Sequence, residues 1–168
     1  MIDVTEAELR EGLAASLAVP RWVDDVVARA PFESLAQLLE VASDAATPLD
    51  LAEIDEAIAH HPRIGEKPAS EGTAVDKQAQ AFSRSEQASL GDDDDAQVNA
   101  EIAAGNLAYE ERFGRVFIIR AAGRTRAEIL EELTRRLELP NSTELEIVGE
   151  QLRDIALLRI EKLWGDTE

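Results

Sequence analysis

Residues 60–67 read HHPRIGEK. His60 and His61 are the only histidines in the chain, and Pro62 follows them at once. An imidazole changes protonation near neutral pH, so either histidine is equipped to give or take a proton in a reaction. Three other sets of residues stand out. Ser83, Glu86 and Gln87 sit in FSRSEQ, with Arg84 and Ser85 between them. Phe117, Ile118, Ile119, Arg120 and Ala121 form a short block bracketed by Gly114 and Gly123. Arg159 interrupts the apolar run IALLRIEKL. A histidine, a glutamate and an arginine are the parts needed for proton transfer on an anionic substrate.

Each set also has an ordinary structural reading. A histidine at a helix C-terminus complements the helix dipole. SRSEQ on a helix is a solvated face, and a run such as VFII is usually core. Arg159 falls four residues after Ile155, so its stem can pack beside the core while its head meets a carboxylate.

Much other chemistry is excluded. The chain has no cysteine, which rules out disulfides, thiolate nucleophiles and thiolate metal sites. Adjacent histidines do not easily face one metal, and HExxH is absent, so no metal site is expected. A P-loop, a GxGxxG turn and a GxSxG elbow are absent too. Asp92 to Asp95 form a run of four, but side chains of consecutive residues point different ways, so the run reads as solvated surface.

The elements that must position these residues read as helices. Thr5 and Glu8 form a capping-box pattern ahead of Leu9, Leu13 and Leu17. Pro20 opens a second helix carrying Trp22, Val23, Val26 and Val27, which Pro31 ends. Ser34 caps a third, with Leu35, Leu38, Leu39 and Val41. Asp50 and Glu53 cap a fourth, with Leu51, Ile54, Ala57 and Ile58 on one face. It runs into His60 and His61, and Pro62 stops it, because a residue before proline is pushed out of the helical region. Residues 62–76 read as a loop, 77–90 as a helix, and about 94–113 as another. Val116 to Ile119 fit either a buried helical turn or an extended segment, and periodicity does not separate the two. Thr125 and Glu128 open a helix through Leu137; Pro140 and Asn141 break the pattern, and a last helix covers 143–164. No repeat or linker divides the chain. The expectation is one all-α domain over 1–168, with about eight helices.

Composition agrees. Of the 168 residues, 45% are apolar but only 4% aromatic, so the core must be built from Leu, Ile, Val and Ala. The formal net charge of −18 comes from 17 basic and 35 acidic residues. Such a surface repels phosphates, so neither nucleic acid nor an anionic membrane is expected as partner. No apolar run approaches the roughly 20 residues of a transmembrane helix. The N-terminus lacks the basic and apolar regions of a signal peptide, which points to a cytoplasmic location.

Taken in order, HPRIG, S-x-x-E-Q, RFG-x-x-FI, GR-T-x-x-EI-L and I-A-x-L-R-I resemble the family of 2-oxo-4-hydroxy-4-carboxy-5-ureidoimidazoline (OHCU) decarboxylases of urate breakdown. The resemblance runs over about 60–164; the N-terminal third fits as helical scaffold. It implies an all-α enzyme without cofactor or metal that converts OHCU to (S)-allantoin and carbon dioxide, with homodimerisation possible. By position, it implies His61 as the catalytic histidine that protonates one face, with Glu86 as its catalytic partner. Pro62, Ser83, Arg84, Ser85, Gln87, Phe117, Ile118, Ile119, Arg120, Ala121 and Arg159 are implied to bind substrate. His60 points elsewhere and reads as support or surface. Two other readings remain open: a decarboxylase of a related small acid, and a non-enzymatic acidic helical interaction domain.

Overall fold

The computed structural model describes residues 2–59 and 96–165. Seven helices account for most of them, and among the described residues there is no strand. They are α1 (Glu6–Ser16), α2 (Pro20–Val27), α3 (Leu35–Ala45), α4 (Leu51–Ile58), α5 (Ala96–Phe113), α6 (Arg126–Arg136) and α7 (Asn141–Trp164). The chain is all-α, as the sequence implies. The helix expected over 77–90, the loop 62–76 and the Asp92–Asp95 run lie outside the described residues.

Local signals set most boundaries. Thr5, Asp50 and Thr125 each close a capping box with a glutamate three residues on, and Ser34 caps α3 by accepting from the Gln37 N–H. Two ends differ from expectation. α2 stops at Val27, short of Pro31, because the Arg29 and Ala30 N–H groups turn back to the carbonyls of Val26 and Val27 and tighten the last turn. α7 begins at Asn141, directly after Pro140 at its N-cap. A proline lacks only an N–H that the first turn of a helix leaves unbonded, so it starts this helix instead of delaying it.

α7 is the organising element. At 24 residues it is about 36 Å long, and α1, α3 and α4 pack against it. Val148, Leu152, Ile155, Ala156, Ile160 and Trp164 form its buried stripe. These join Leu9, Leu13, Trp22, Val26, Leu38 and Ile54 in the larger apolar core. Trp22 is fully buried, and its indole N–H donates to the Ala42 carbonyl at 2.9 Å. α1 and α7 approach closely at Gly12, where an added methyl group would lie 2.7 Å from the Trp164 ring. α5 and α6 pack on each other and enclose a second core of Ile102, Tyr109, Phe117, Ile119, Ala121, Ile129 and Leu133.

α4, the helix that leads toward His60 and His61, is tied down from two sides. Arg21 of α2 grips Glu53 with two bonds of 2.6 and 3.0 Å, and its Nη1 donates to the Ala45 carbonyl at the end of α3. The Arg21 guanidinium holds the Glu53 carboxyl below its ordinary value, against a smaller opposing effect of burial. α4 closes at Ile58 with Ala59 as its C-cap, short of the His60–His61 end that the sequence pattern suggests.

Candidate active site

Seven of the expected site residues (His61, Pro62, Ser83, Arg84, Ser85, Glu86 and Gln87) lie outside the described residues, as does His60. The structure describes the other six: Phe117, Ile118, Ile119, Arg120, Ala121 and Arg159.

Phe117–Ala121 belongs to a crossing segment, residues 116–121, that is neither helix nor strand. Gly114 lets the chain leave α5: its φ of +72° is reached freely only without a Cβ, and its N–H donates to the Glu110 carbonyl. Gly123, at φ +81°, turns the chain toward α6. The Arg124 N–H closes that turn on the Ala121 carbonyl at 3.1 Å, which places Gly123 where a type II turn needs positive φ. Between the glycines, successive side chains go to opposite cores. Phe117, Ile119 and Ala121 enter the α5–α6 core, and Ile118 enters the core around α7. That period of two belongs to an extended chain, which decides between the two readings the sequence allowed.

A buried polar network holds this segment. Arg136, at the end of α6, donates from Nε to both carboxylate oxygens of Glu144 at 2.8 and 3.0 Å, and its Nη2 donates to the same carboxylate. Its Nη1 donates to the Ile118 carbonyl at 2.8 Å. The guanidinium lies over the Phe117 ring, 4.6 Å from the centroid. Tyr109 of α5 donates its hydroxyl to Glu144 at 2.6 Å, and its ring meets Phe117 edge-on at 5.2 Å. Burial, then the bond to Glu144, raises the Tyr109 phenol well above its ordinary pKa. Two residues along the segment, the Arg120 N–H donates to Gln151 Oε1 of α7 at 2.9 Å, and the Arg120 carbonyl accepts from Arg124 Nε.

Arg159 is 3% exposed, one turn beyond Ile155 on the buried face of α7. Its Nη1 donates to the carbonyls of Ala15 and Ser16 at 3.2 and 3.4 Å. These close the C-terminal end of α1, where a cation is favoured by the helix dipole. The crossing segment meets α7 at Gln151, whereas Arg159 of the same helix faces the end of α1. Eight residues, or about 12 Å along the axis, separate Gln151 from Arg159.

Arg136, Glu144, Tyr109 and Gln151 are not among the residues the sequence singled out. A signal for two of them exists. Arg136 continues the apolar stripe of Ile129 and Leu133, and Glu144 precedes Val148 and Leu152 on another. Opposite charges that interrupt two neighbouring stripes can satisfy each other.

Comparison with known proteins gives a consistent result. The family model for OHCU decarboxylase matches residues 3–161. The chain is 37% identical over 111 residues to the uric acid degradation bifunctional protein TTL of Arabidopsis thaliana, covering 66% of this chain. It spans 33% of that relative's length, so the likeness concerns one part of a longer protein. A crystal structure of OHCU decarboxylase in the presence of (S)-allantoin superposes with a TM-score of 0.77 at 27% identity, covering 93% of this chain and 99% of that one. A crystal structure of (S)-allantoin synthase gives a TM-score of 0.64, covering 95% of this chain and 50% of that one; at 17% identity the likeness is one of fold.

Proposed function

The chain belongs to the OHCU decarboxylase family, and on that basis we propose that it decarboxylates OHCU to (S)-allantoin and carbon dioxide. The observation that carries this reading is the family match over 3–161, within which HPRIG and S-x-x-E-Q fall in order. It favours an enzyme over an acidic interaction domain. The whole chain acts as one domain in this reading, and a homodimer is its assembly.

The chemistry accounts for the residue types. When carbon dioxide leaves, the electrons of the broken bond stay on the former C4 of the ring. The adjacent imine and carbonyl delocalise them, so the substrate serves as its own electron sink. The protein must hold the carboxylate out of the ring plane, so that the breaking bond overlaps the π system, and then deliver a proton to one face. His61 delivers it. Glu86 accepts a hydrogen bond from the substrate hydroxyl or a ureido N–H, which fixes the ring and favours a charged His61. Ser83, Gln87 and the backbone of Phe117–Ala121 read the ureido group and ring edges. Pro62 stiffens the turn after His61 and lies against the substrate, and Arg159 pairs with its anionic group. General acid catalysis of this kind contributes roughly 10²–10⁴ in rate, and orientation adds more.

The test is to generate OHCU in situ from urate with the two preceding enzymes and follow circular dichroism. Uncatalysed decay gives racemic allantoin. Rapid appearance of optically active (S)-allantoin is the expected result. Unchanged decay to racemate in the presence of folded protein overturns the proposal.

A further inference from the structure

We propose that Arg136, Glu144 and Gln151 are positioning residues that fix the backbone of the crossing segment so that its Ile119 edge serves the substrate. This rests on the reading above, in which Phe117–Ala121 lines the site. In an extended chain the N–H and C=O of one residue point to one edge, and those of the next to the other. The edge formed by residues 118 and 120 is already bonded: Ile118 C=O to Arg136, Arg120 N–H to Gln151, and Arg120 C=O to Arg124. The opposite edge differs. Among the described residues, the Ile119 N–H and C=O make no hydrogen bond, although Ile119 is only 3% exposed. Buried backbone groups are nearly always paired. A ureido-imidazoline, with N–H donors and carbonyl acceptors along its edges, has the complementary groups.

The cost of the network supports the same conclusion. Arg136 and Glu144 are both withdrawn from water, and an apolar pair of similar volume commonly serves stability as well or better. An apolar pair offers no donor to the Ile118 carbonyl, so it holds the cores together without fixing the segment between them. Gln151 supplies a second, independent point of attachment two residues on.

The experiment measures KM and kcat separately, on in situ OHCU, for full-length Gln151→Leu and for the double variant Arg136→Met with Glu144→Met. Urea unfolding is followed alongside. Gln151 is partly exposed, so its substitution leaves the core intact. A loosened binding edge is expected to raise KM about tenfold with kcat changed by less than about twofold, as loss of one hydrogen bond's worth of uniform binding would. Gln151→Glu keeps an oxygen acceptor for the Arg120 N–H and is expected to return KM toward wild type. Merely structural damage removes folded enzyme, which lowers apparent kcat and leaves KM alone. Wild-type KM in both variants, or lowered kcat at unchanged KM, overturns the proposal. A wild-type chain with no activity on OHCU overturns the functional reading, and this inference with it.

Discussion

The Arg136 guanidinium and the Glu144 carboxylate meet in the protein interior with 1% and 0% of their side chains exposed. Around them converge α5 through Tyr109, α6 through Arg136, α7 through Glu144, and the crossing segment through Phe117 and Ile118. Removing one partner strands the other charge away from water. Arg136→Ala and Glu144→Ala are each expected to lower stability by about 3–5 kcal/mol. Tyr109→Phe loses one bond to the carboxylate and keeps the ring, for a loss of about 1–2 kcal/mol. Urea unfolding of the three variants checks both the size and the order.

The Arg21–Glu53 pair makes a pH-dependent contribution. Glu53 titrates below its ordinary value of 4.5 in the folded protein, chiefly through its bond to Arg21. Its contribution is therefore complete above that value and is lost as pH falls through the lower folded value. Arg21 is 42% exposed, so solvent screening limits the effect to about 1 kcal/mol. In Glu53→Gln the contribution is absent at every pH. The gap in urea midpoint between wild type and variant should close as the pH is lowered from about 6 to about 3.

Gly12 lies under the Trp164 ring. In Gly12→Ala the new methyl group, 2.7 Å from that ring, forces α1 and α7 apart or displaces the indole. Strain of this kind costs about 1–3 kcal/mol, more than alanine's higher helix propensity returns. A lower thermal midpoint, with Trp fluorescence shifted toward that of exposed indole, is the expected reading.

Catalysis should separate the two histidines. His61→Ala and Glu86→Ala are expected to fold normally and to lose about 10²–10⁴ in rate on OHCU, the range general acid catalysis supplies. His60→Ala should change the rate far less. A His61→Ala enzyme with the wild-type rate would displace His61 from the mechanism.

A chain with net charge −18 repels an anionic substrate at long range. Screening that repulsion with salt should lower KM modestly. Steady-state assays between about 0.05 and 0.3 M sodium chloride check this, since the Debye length shrinks from above to below about 10 Å across that range. A clear rise in KM would show that local arginines, and not the overall field, govern encounter.

Sequence alone exposed the helices because their signals are local. The boxes at Thr5, Asp50 and Thr125 and the stripe from Val148 to Ile160 each lie within a few turns of chain. The crossing segment carries no such local signal. Four apolar residues in a row fit helix or extended chain equally, and the choice was made by two separate cores that claim alternate side chains. Arg159 was visible as a charge inside an apolar stripe, but its α1 carbonyl partners are more than 140 residues away in sequence. Arg136 sat at a helix C-terminus, where an arginine already has a sufficient reason to be. Gln151 gave no signal, because a glutamine on a long helix is ordinary until a backbone N–H is found beside it.

The alternation along 116–121 makes this stretch of chain unequally tolerant of genetic change. Swapping one aliphatic residue for another alters how well a core is filled. Losing or gaining a single codon between Gly114 and Gly123 would instead send each later side chain to the wrong core and move the bonded carbonyls to the other edge. Across the family, the distance between these two turns should therefore vary less than the identities of the residues between them.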